Sequence, residues 1–321
     1  MRKIIKTLLG IGGAFCLIGA LLFIIGFTSG GTKYVHATNL NSMNAQKDNK
    51  ESANRFTLKK TEIPDFTSLN INLEDSDLNI EESPNEKSYI EYVQATKDKK
   101  NPLSYSIENG TLTLKEAGNT GASYYINVDI SFLQAALSSK NIEDYTKESS
   151  KYENYVTLYL PKDKLVSSAK IYLGYGDFYI KNAAFDTINI KLDDGDFDAN
   201  TLTANSGKLT FSYGDCDLQK ASLGNISLTS KDGDLTVNEL TLSGKTKIAL
   251  SYGDAEITLN DSTKKVSGFD LATHYGTITA SGLNGNKTVD EDDDVNTFQS
   301  DSKDGKTKLA IDSKDGDITL K

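Results

Sequence analysis

A carboxylate follows a glycine at nearly regular intervals through the second half of this chain. Asp177, Asp196, Asp215, Asp234, Asp254 and Asp317 stand directly after Gly176, Gly195, Gly214, Gly233, Gly253 and Gly316, and Asp194, Asp232 and Asp315 stand directly before three of those glycines. If the units stack at the spacing of neighbouring strands, ~4.8 Å, these carboxylates lie within ~5–10 Å of one another, a range at which like charges raise each other's pKa or recruit a cation. Ca²⁺ takes several oxygen ligands from turns of this kind, so Asp177, Asp196, Asp215, Asp234 and Asp254 are candidate metal ligands. The spacing differs, however, from the Gly-Gly-x-Gly-x-Asp nonapeptide that binds Ca²⁺. Turn chemistry explains the same residues without any ligand or cofactor: glycine supplies a positive φ, and aspartate accepts hydrogen bonds from nearby backbone N–H groups. On that reading Gly176, Gly195, Gly214, Gly233, Gly253, Gly276 and Gly316 are structural turn residues.

A second column is aromatic. Tyr175, Tyr213, Tyr252 and Tyr275 immediately precede a turn glycine. Exposed tyrosines could stack on sugar rings or on a partner protein; equally, each could cover its turn and pack on its neighbour. The acidic run Val289-Asp-Glu-Asp-Asp-Asp-Val295 reads as a solvated loop able to attract a cation or a basic partner. Cys216 shares a column with Phe197 and Leu235, which points to a small buried hydrophobe rather than a nucleophile.

Enzyme chemistry finds little footing, and the expectation is a non-enzyme. There is no Gly-x-Ser-x-Gly elbow and no His-Glu-x-x-His, and the only histidines, His36 and His274, are far apart in sequence. Paired aspartates on a β-helix could cleave polysaccharide. A catalytic pair should break the repeat at one place, whereas these aspartates recur with it.

The elements that carry these columns are strands. The intervals between turn glycines are 19, 19, 19, 20, 23 and 40 residues. Two residues after each glycine stand Phe178, Phe197, Cys216, Leu235, Ala255, Ile278 and Ile318; five before stand Ile171, Ile190, Leu209, Leu228, Ile248, Leu271 and Ile311. Within a unit the apolar positions recur every second residue, the strand period. One such unit cannot bury its apolar face alone, but successive units stacked as coils can. The expected fold is therefore all-β: a β-solenoid (β-helix-like) of ~19–20-residue strand-turn-strand coils, preceded by one N-terminal transmembrane helix. A β-propeller, with blades of about 40 residues, is the minor alternative. Stacking in chain order would leave the strand Ile318–Leu320 at an edge, guarded by Lys314, Asp315 and Lys321.

The N-terminus differs in kind. Arg2, Lys3 and Lys6 precede an apolar run from Leu8 to Phe27, long enough to span a bilayer of about 30 Å with its basic end in the cytoplasm. Val35-His36-Ala37 resembles a signal-peptidase site, so cleavage near Ala37 competes with a retained anchor; both readings place the rest of the chain outside. The expected organisation is a cytoplasmic tip and anchor over 1–30, a flexible stalk over 31–54, and an N-terminal β part over 55–160 with a loop or short helix near 131–150. Regular solenoid repeats over 161–321 follow, with an acidic loop near 284–306. Asn109-Gly110 reads as a hairpin turn. A net charge of −10 argues against nucleic acid and against docking of the folded part on anionic lipid.

The stretch "YENYVTLYLPKDKLVSSAKIYLGYGDFYIKN", with its Leu160-Pro161 ahead of repeated Gly-Asp coils, resembles a bacterial family known as putative adhesins, built on a β-strand repeat domain of unknown function. The resemblance extends over about residues 60–321, and the Lys-rich start with a single apolar helix is similar to members from Gram-positive bacteria. His274-Tyr275-Gly276-Thr277 departs from the pattern by lacking the aspartate. The resemblance implies a single-pass membrane protein, N-terminus cytoplasmic and C-terminal domain extracellular, acting without catalysis as an adhesin or an envelope-stress accessory. Its expected partners are the membrane, through the N-terminal helix, and envelope proteins or glycans. The rivals are an extracellular β-helix enzyme acting on polysaccharide and a Ca²⁺-stabilised structural module.

Overall fold

A computed structural model describes residues 54–96, 100–117, 154–290 and 294–321. The expected anchor and cleavage site, the stalk, and the loop or helix near 131–150 lie outside the described residues. Alternating apolar and polar residues produce strands almost throughout. Ahead of residues 118–153 come β1 (Asn54–Ile63), β2 (Ser68–Leu73), β3 (Asp77–Glu82), β4 (Ser88–Thr96), β5 (Leu103–Glu108) and β6 (Thr111–Glu116). The chain then continues through β7 (Tyr155–Leu160), β8 (Leu165–Tyr175), β9 (Phe178–Ile180), β10 (Ala183–Asp194), β11 (Phe197–Phe211), β12 (Cys216–Asp232), β13 (Leu235–Leu242), β14 (Lys245–Tyr252) and β15 (Ala255–Leu259). A six-residue helix α1 (Asp261–Val266) precedes β16 (Gly268–His274), β17 (Ile278–Ala280), β18 (Asn286–Asp290), β19 (Val295–Ser300), β20 (Lys308–Ser313) and β21 (Ile318–Leu320).

The coils stack in parallel register, which is solenoid and not propeller geometry. Phe178 pairs with Phe197, Phe197 with Cys216, Cys216 with Leu235 and Leu235 with Ala255 along the strands that follow the Gly-Asp corner. Ile171, Ile190, Leu209, Leu228 and Ile248 pair in the same way along the strands that precede it. All of these side chains are buried. A third inward ladder runs Val166, Phe185, Ala204, Leu223, Leu242. It arises because two consecutive residues, Asn200 and Thr201 in β11 or Gln219 and Lys220 in β12, point away from the core and break the alternation, turning the strand through a further corner. The Phe178 and Phe197 rings lie 5.2 Å apart along the stack, and Phe197 and Phe211 lie 5.5 Å apart across it, so one aromatic fills the gap between coils and between faces.

Coil order in space differs from coil order in the chain, which corrects the expectation of an exposed last strand. β20 pairs with β14 on one side and β16 on the other, and β21 sits likewise between β15 and β17. The last coil of the sequence is inserted between the two coils that precede it. The 23-residue interval holds α1, capped by Asn260, whose side chain accepts the Thr263 N–H at 2.8 Å. The 40-residue interval holds an antiparallel hairpin of β18 and β19, which replaces most of the acidic loop expected near 284–306. β19 pairs antiparallel with β16 and buries Phe298 opposite Leu271, covering the end of the stack.

The other end is built from sequence-distant pieces. β2 and β3 form a coil directly against β8 and β9, so Glu74-Asp75-Ser76-Asp77 is another corner of the same stack. β6 and β7, on either side of residues 118–153, sit on β2 and β3 as a split coil. β4 then pairs antiparallel on β7, β1 on β4 and β5 on β6.

Candidate functional site

The glycine column does two different jobs. At Gly214 φ is +115°, and an added Cβ would stand 2.2 Å from the Gly195 carbonyl oxygen, so both backbone direction and coil spacing demand glycine. At Gly276 the positive φ is carried by Tyr275 (φ 60°) instead, and the glycine serves only the close approach, 2.0 Å from Cβ to the Gly316 oxygen.

The aspartates that follow form a continuous ladder of carboxylate-to-backbone hydrogen bonds. Asp177 donates its N–H to Asp77 Oδ1 at 2.9 Å, Asp196 to Asp177 at 2.9 Å, Asp215 to Asp196 at 2.9 Å and Asp234 to Asp215 at 2.8 Å. Asp254 then donates to Asp234 at 2.8 Å, Asp317 to Asp254 at 2.7 Å and Thr277 to Asp317 at 2.8 Å. Each carboxylate thus accepts the amide of the next coil in space. Thr277 lacks a carboxylate because no further Gly-Asp corner stacks beyond it to donate one. Among the described residues, no three His, Cys, Asp or Glu side chains converge as metal ligands would.

The residue before the corner alternates without a break once the coils are taken in spatial order: Asp75, Tyr175, Asp194, Tyr213, Asp232, Tyr252, Asp315, Tyr275. In chain order Tyr252 and Tyr275 are adjacent; the inserted coil restores the alternation. Successive tyrosines are therefore two coils apart, ~9.6 Å, too far to pack ring on ring. All four are open to solvent, from Tyr213 at 48% to Tyr275 at 74%. Lys231 lies 5.1 Å from the Tyr213 ring centroid and donates to its hydroxyl at 3.2 Å.

Other sequence-derived candidates separate. Cys216 is buried between Phe197 and Leu235, and burial first, then the neighbouring aspartates, pushes its thiol far up. In the run 289–295, residues 291–293 lie outside the described residues; Val289 is exposed, and the Asp294 carbonyl accepts the Tyr275 N–H. The second acid of "GDFD" and "GDCD" was not singled out by the repeat. Asp198 and Asp217 pair in register beside the corner, and burial together with Asp217 raises the Asp198 carboxyl. A row of lysines was missed as well. Six residues before the corner glycine stand Lys170, Asn189, Lys208, Ser227 and Lys247, an alternation that aligning the repeat could have exposed.

Corners whose acids are spent on backbone amides, and outward columns that repeat every second coil, define a parallel β-solenoid. The chain belongs to the Toastrack family, DUF4097, whose model matches residues 66–321. Similar solved structures include a putative cell adhesion protein from Clostridium sporogenes, 14% identical, TM-score 0.32, covering 84% of this chain and 99% of that one. A putative adhesin from Bacteroides fragilis is 10% identical, TM-score 0.40, with 84% and 99% covered. A putative lipid binding protein from Parabacteroides distasonis is 12% identical, TM-score 0.36, with 84% and 98% covered. No curated protein matches this chain.

Proposed function

We propose that the protein is a non-enzymatic, membrane-anchored surface scaffold of a Gram-positive bacterium, working as an adhesin or an envelope-stress accessory. Residues 1–30 anchor it with the N-terminus in the cytoplasm, and the solenoid stands outside. One observation carries the reading: the Asp177-to-Asp317 carboxylates bond to the amides of the next coil, so the repeat spends its acids on rigidity and leaves the tyrosine ridge outward. A rigid, regularly spaced surface suits recognition of an extended partner. Support for the family label comes from the Toastrack match.

The test is retention of envelope glycans or proteins on the immobilised full-length chain, compared with a Tyr175→Ser, Tyr213→Ser, Tyr252→Ser, Tyr275→Ser variant. Retention that the variant loses is the expected result. A glycan panel incubated with the same protein gives the opposing outcome: turnover abolished by a single Asp→Asn change would replace this reading with the polysaccharide enzyme.

A further inference from the structure

We propose that the outer face of the strands preceding the Gly-Asp corner, from β6 to β14, is a groove for a linear anionic polysaccharide carrying one negative charge per disaccharide. The inference names a ligand class for the surface-recognition role above and rests on that reading. It uses a different face from the tyrosine ridge.

The chain is acidic overall, yet this face is cationic. Lys170, Lys208 and Lys247 occupy one outward column, joined in register through Asn189 and Ser227. All three are exposed and, among the described residues, make no ion pair or side-chain hydrogen bond. The neighbouring columns add Lys115 and Lys245, and also Lys191, which is held 2.7 Å from Asp193. Between the lysines stand neutral hydrogen-bonding side chains: Asn70, Asn72, Asn189, Thr210 and Ser227. Among the described residues these columns hold no carboxylate from β6 to β14; Glu108 lies beyond one end and Asp312 and Asp270 beyond the other. The sheet is hollowed under the first two lysines, with an open volume of about 630 Å³ bounded by residues that include Asn72, Lys170, Lys191 and Lys208, and Ser227 and Lys247 border a second hollow of about 310 Å³ that Asp270 and Asp312 close at its far side.

The period selects the occupant. Neighbouring lysines of the row are two coils apart, ~9.6 Å, and the row spans ~19 Å. Two linked pyranose rings in an extended chain advance by about that two-coil distance, so one anion on alternate sugars meets each lysine while the hydroxyls meet Asn and Ser. An acidic peptide in extended form repeats its same-side charges every ~6.6–6.8 Å and falls out of step. A planar anionic bilayer makes poor contact with a hollow. A single small anion reaches only one lysine. Individually exposed lysines contribute little, so affinity comes from several weak pairs on one chain and falls with salt.

The experiment titrates the full-length chain with fluorescent hyaluronan, in which glucuronate alternates with N-acetylglucosamine. The comparison probes are its methyl ester, polyglutamate, single-stranded DNA and phosphatidylglycerol vesicles. Hyaluronan is expected to bind in a salt-dependent manner and its methyl ester not to bind. Lys170→Gln, Lys208→Gln, Lys247→Gln together are expected to weaken binding about tenfold or more. The same three changed to Arg retain binding, and Lys265→Gln, Lys303→Gln, Lys306→Gln, an equal charge change elsewhere, leaves it intact. Absence of hyaluronan binding, an unaffected first variant, an equal loss in the second, or tighter binding of polyglutamate, DNA or vesicles each overturns the proposal. Envelope retention that persists in the Lys→Gln variant would leave the surface role standing while removing this groove from it.

Discussion

Asp317 donates its backbone N–H to Asp254 Oδ1 at 2.7 Å across 63 residues of sequence, and that bond locks the last coil of the chain between two earlier ones. The C-terminus is therefore interior to the stack in the sense that matters for stability, with parallel partners on both sides.

Truncation should reveal this. Removing residues 307–321 takes away the partners of β14, β15, β16 and β17 together and bares Ile248, Ile257, Leu271 and Ile278. The expected result is cleavage throughout 261–300 under limited proteolysis, whereas peeling a true terminal coil would leave its neighbour protected. Hydrogen exchange of the intact chain should show the Ile311 and Ile318 amides among the slow ones.

The Asp ladder predicts a chemical distinction. Asp215→Ala leaves the Asp234 N–H to water and is expected to cost about 1 kcal/mol, since the corner is exposed. Asp215→Asn keeps an oxygen in place and should cost less than half of that. Urea midpoints of the two variants decide; equal losses would mean that charge, not the acceptor, is what the corner needs.

Glycine substitutions should divide by what lies beside them. Gly214→Ala drives a methyl to 2.2 Å from a backbone oxygen at a positive φ, and a loss above ~3 kcal/mol is expected. Gly305→Ala, with nothing within 4 Å of the new carbon, carries only the φ strain, about 1 kcal/mol.

Cys216 should be inert while the protein is folded. Its thiol is buried and its ionisation strongly opposed, so peptide-level mass spectrometry after alkylation should find it unmodified in buffer and modified in denaturant. Cys216→Ser, which places an unpaired hydroxyl between Phe197 and Leu235, is expected to cost about 1–3 kcal/mol.

Glu116 offers a pH test. Its Oε2 accepts the Glu74 and Asp75 amides at 2.9 and 3.1 Å, yet burial outweighs these bonds and raises its pKa. The folded chain then holds this proton more tightly than the unfolded one. The contribution to stability is full below the unfolded value and is lost as pH rises through the folded value. Glu116→Gln keeps one oxygen for both amides and removes the buried charge, so it should match or exceed the parent in stability at pH 7 and show a flatter pH profile from acid to neutral. A drop of more than ~1.5 kcal/mol at pH 7 would show instead that the charge is what holds the Glu74-Asp75 corner.

Period-two alternation and the recurring Gly-Asp pair were enough to assign the inward columns, the corner and the solenoid class. Phe197, Cys216 and Leu235 stack as those columns require. Local pattern suffices there because a strand's inward face depends only on its own alternation and on a neighbour of the same kind. The pattern did not expose the third ladder, whose register changes at Asn200-Thr201, nor Glu74-Asp75-Ser76-Asp77 as a corner of the same stack, since Ser76 stands where the other corners have glycine.

Coil order belongs to the tertiary structure alone. Coils of equal length with matching apolar ladders can dock on one another almost interchangeably, so sequence adjacency does not dictate spatial adjacency. The tie is broken by outward and corner groups that acquire partners only in the assembled stack: Asp315 between Tyr252 and Tyr275, and Thr277 as a donor to Asp317 with no carboxylate of its own. The same assembly sets Lys170, Lys208 and Lys247 in one row, turning charges scattered over 78 positions of sequence into a periodic surface.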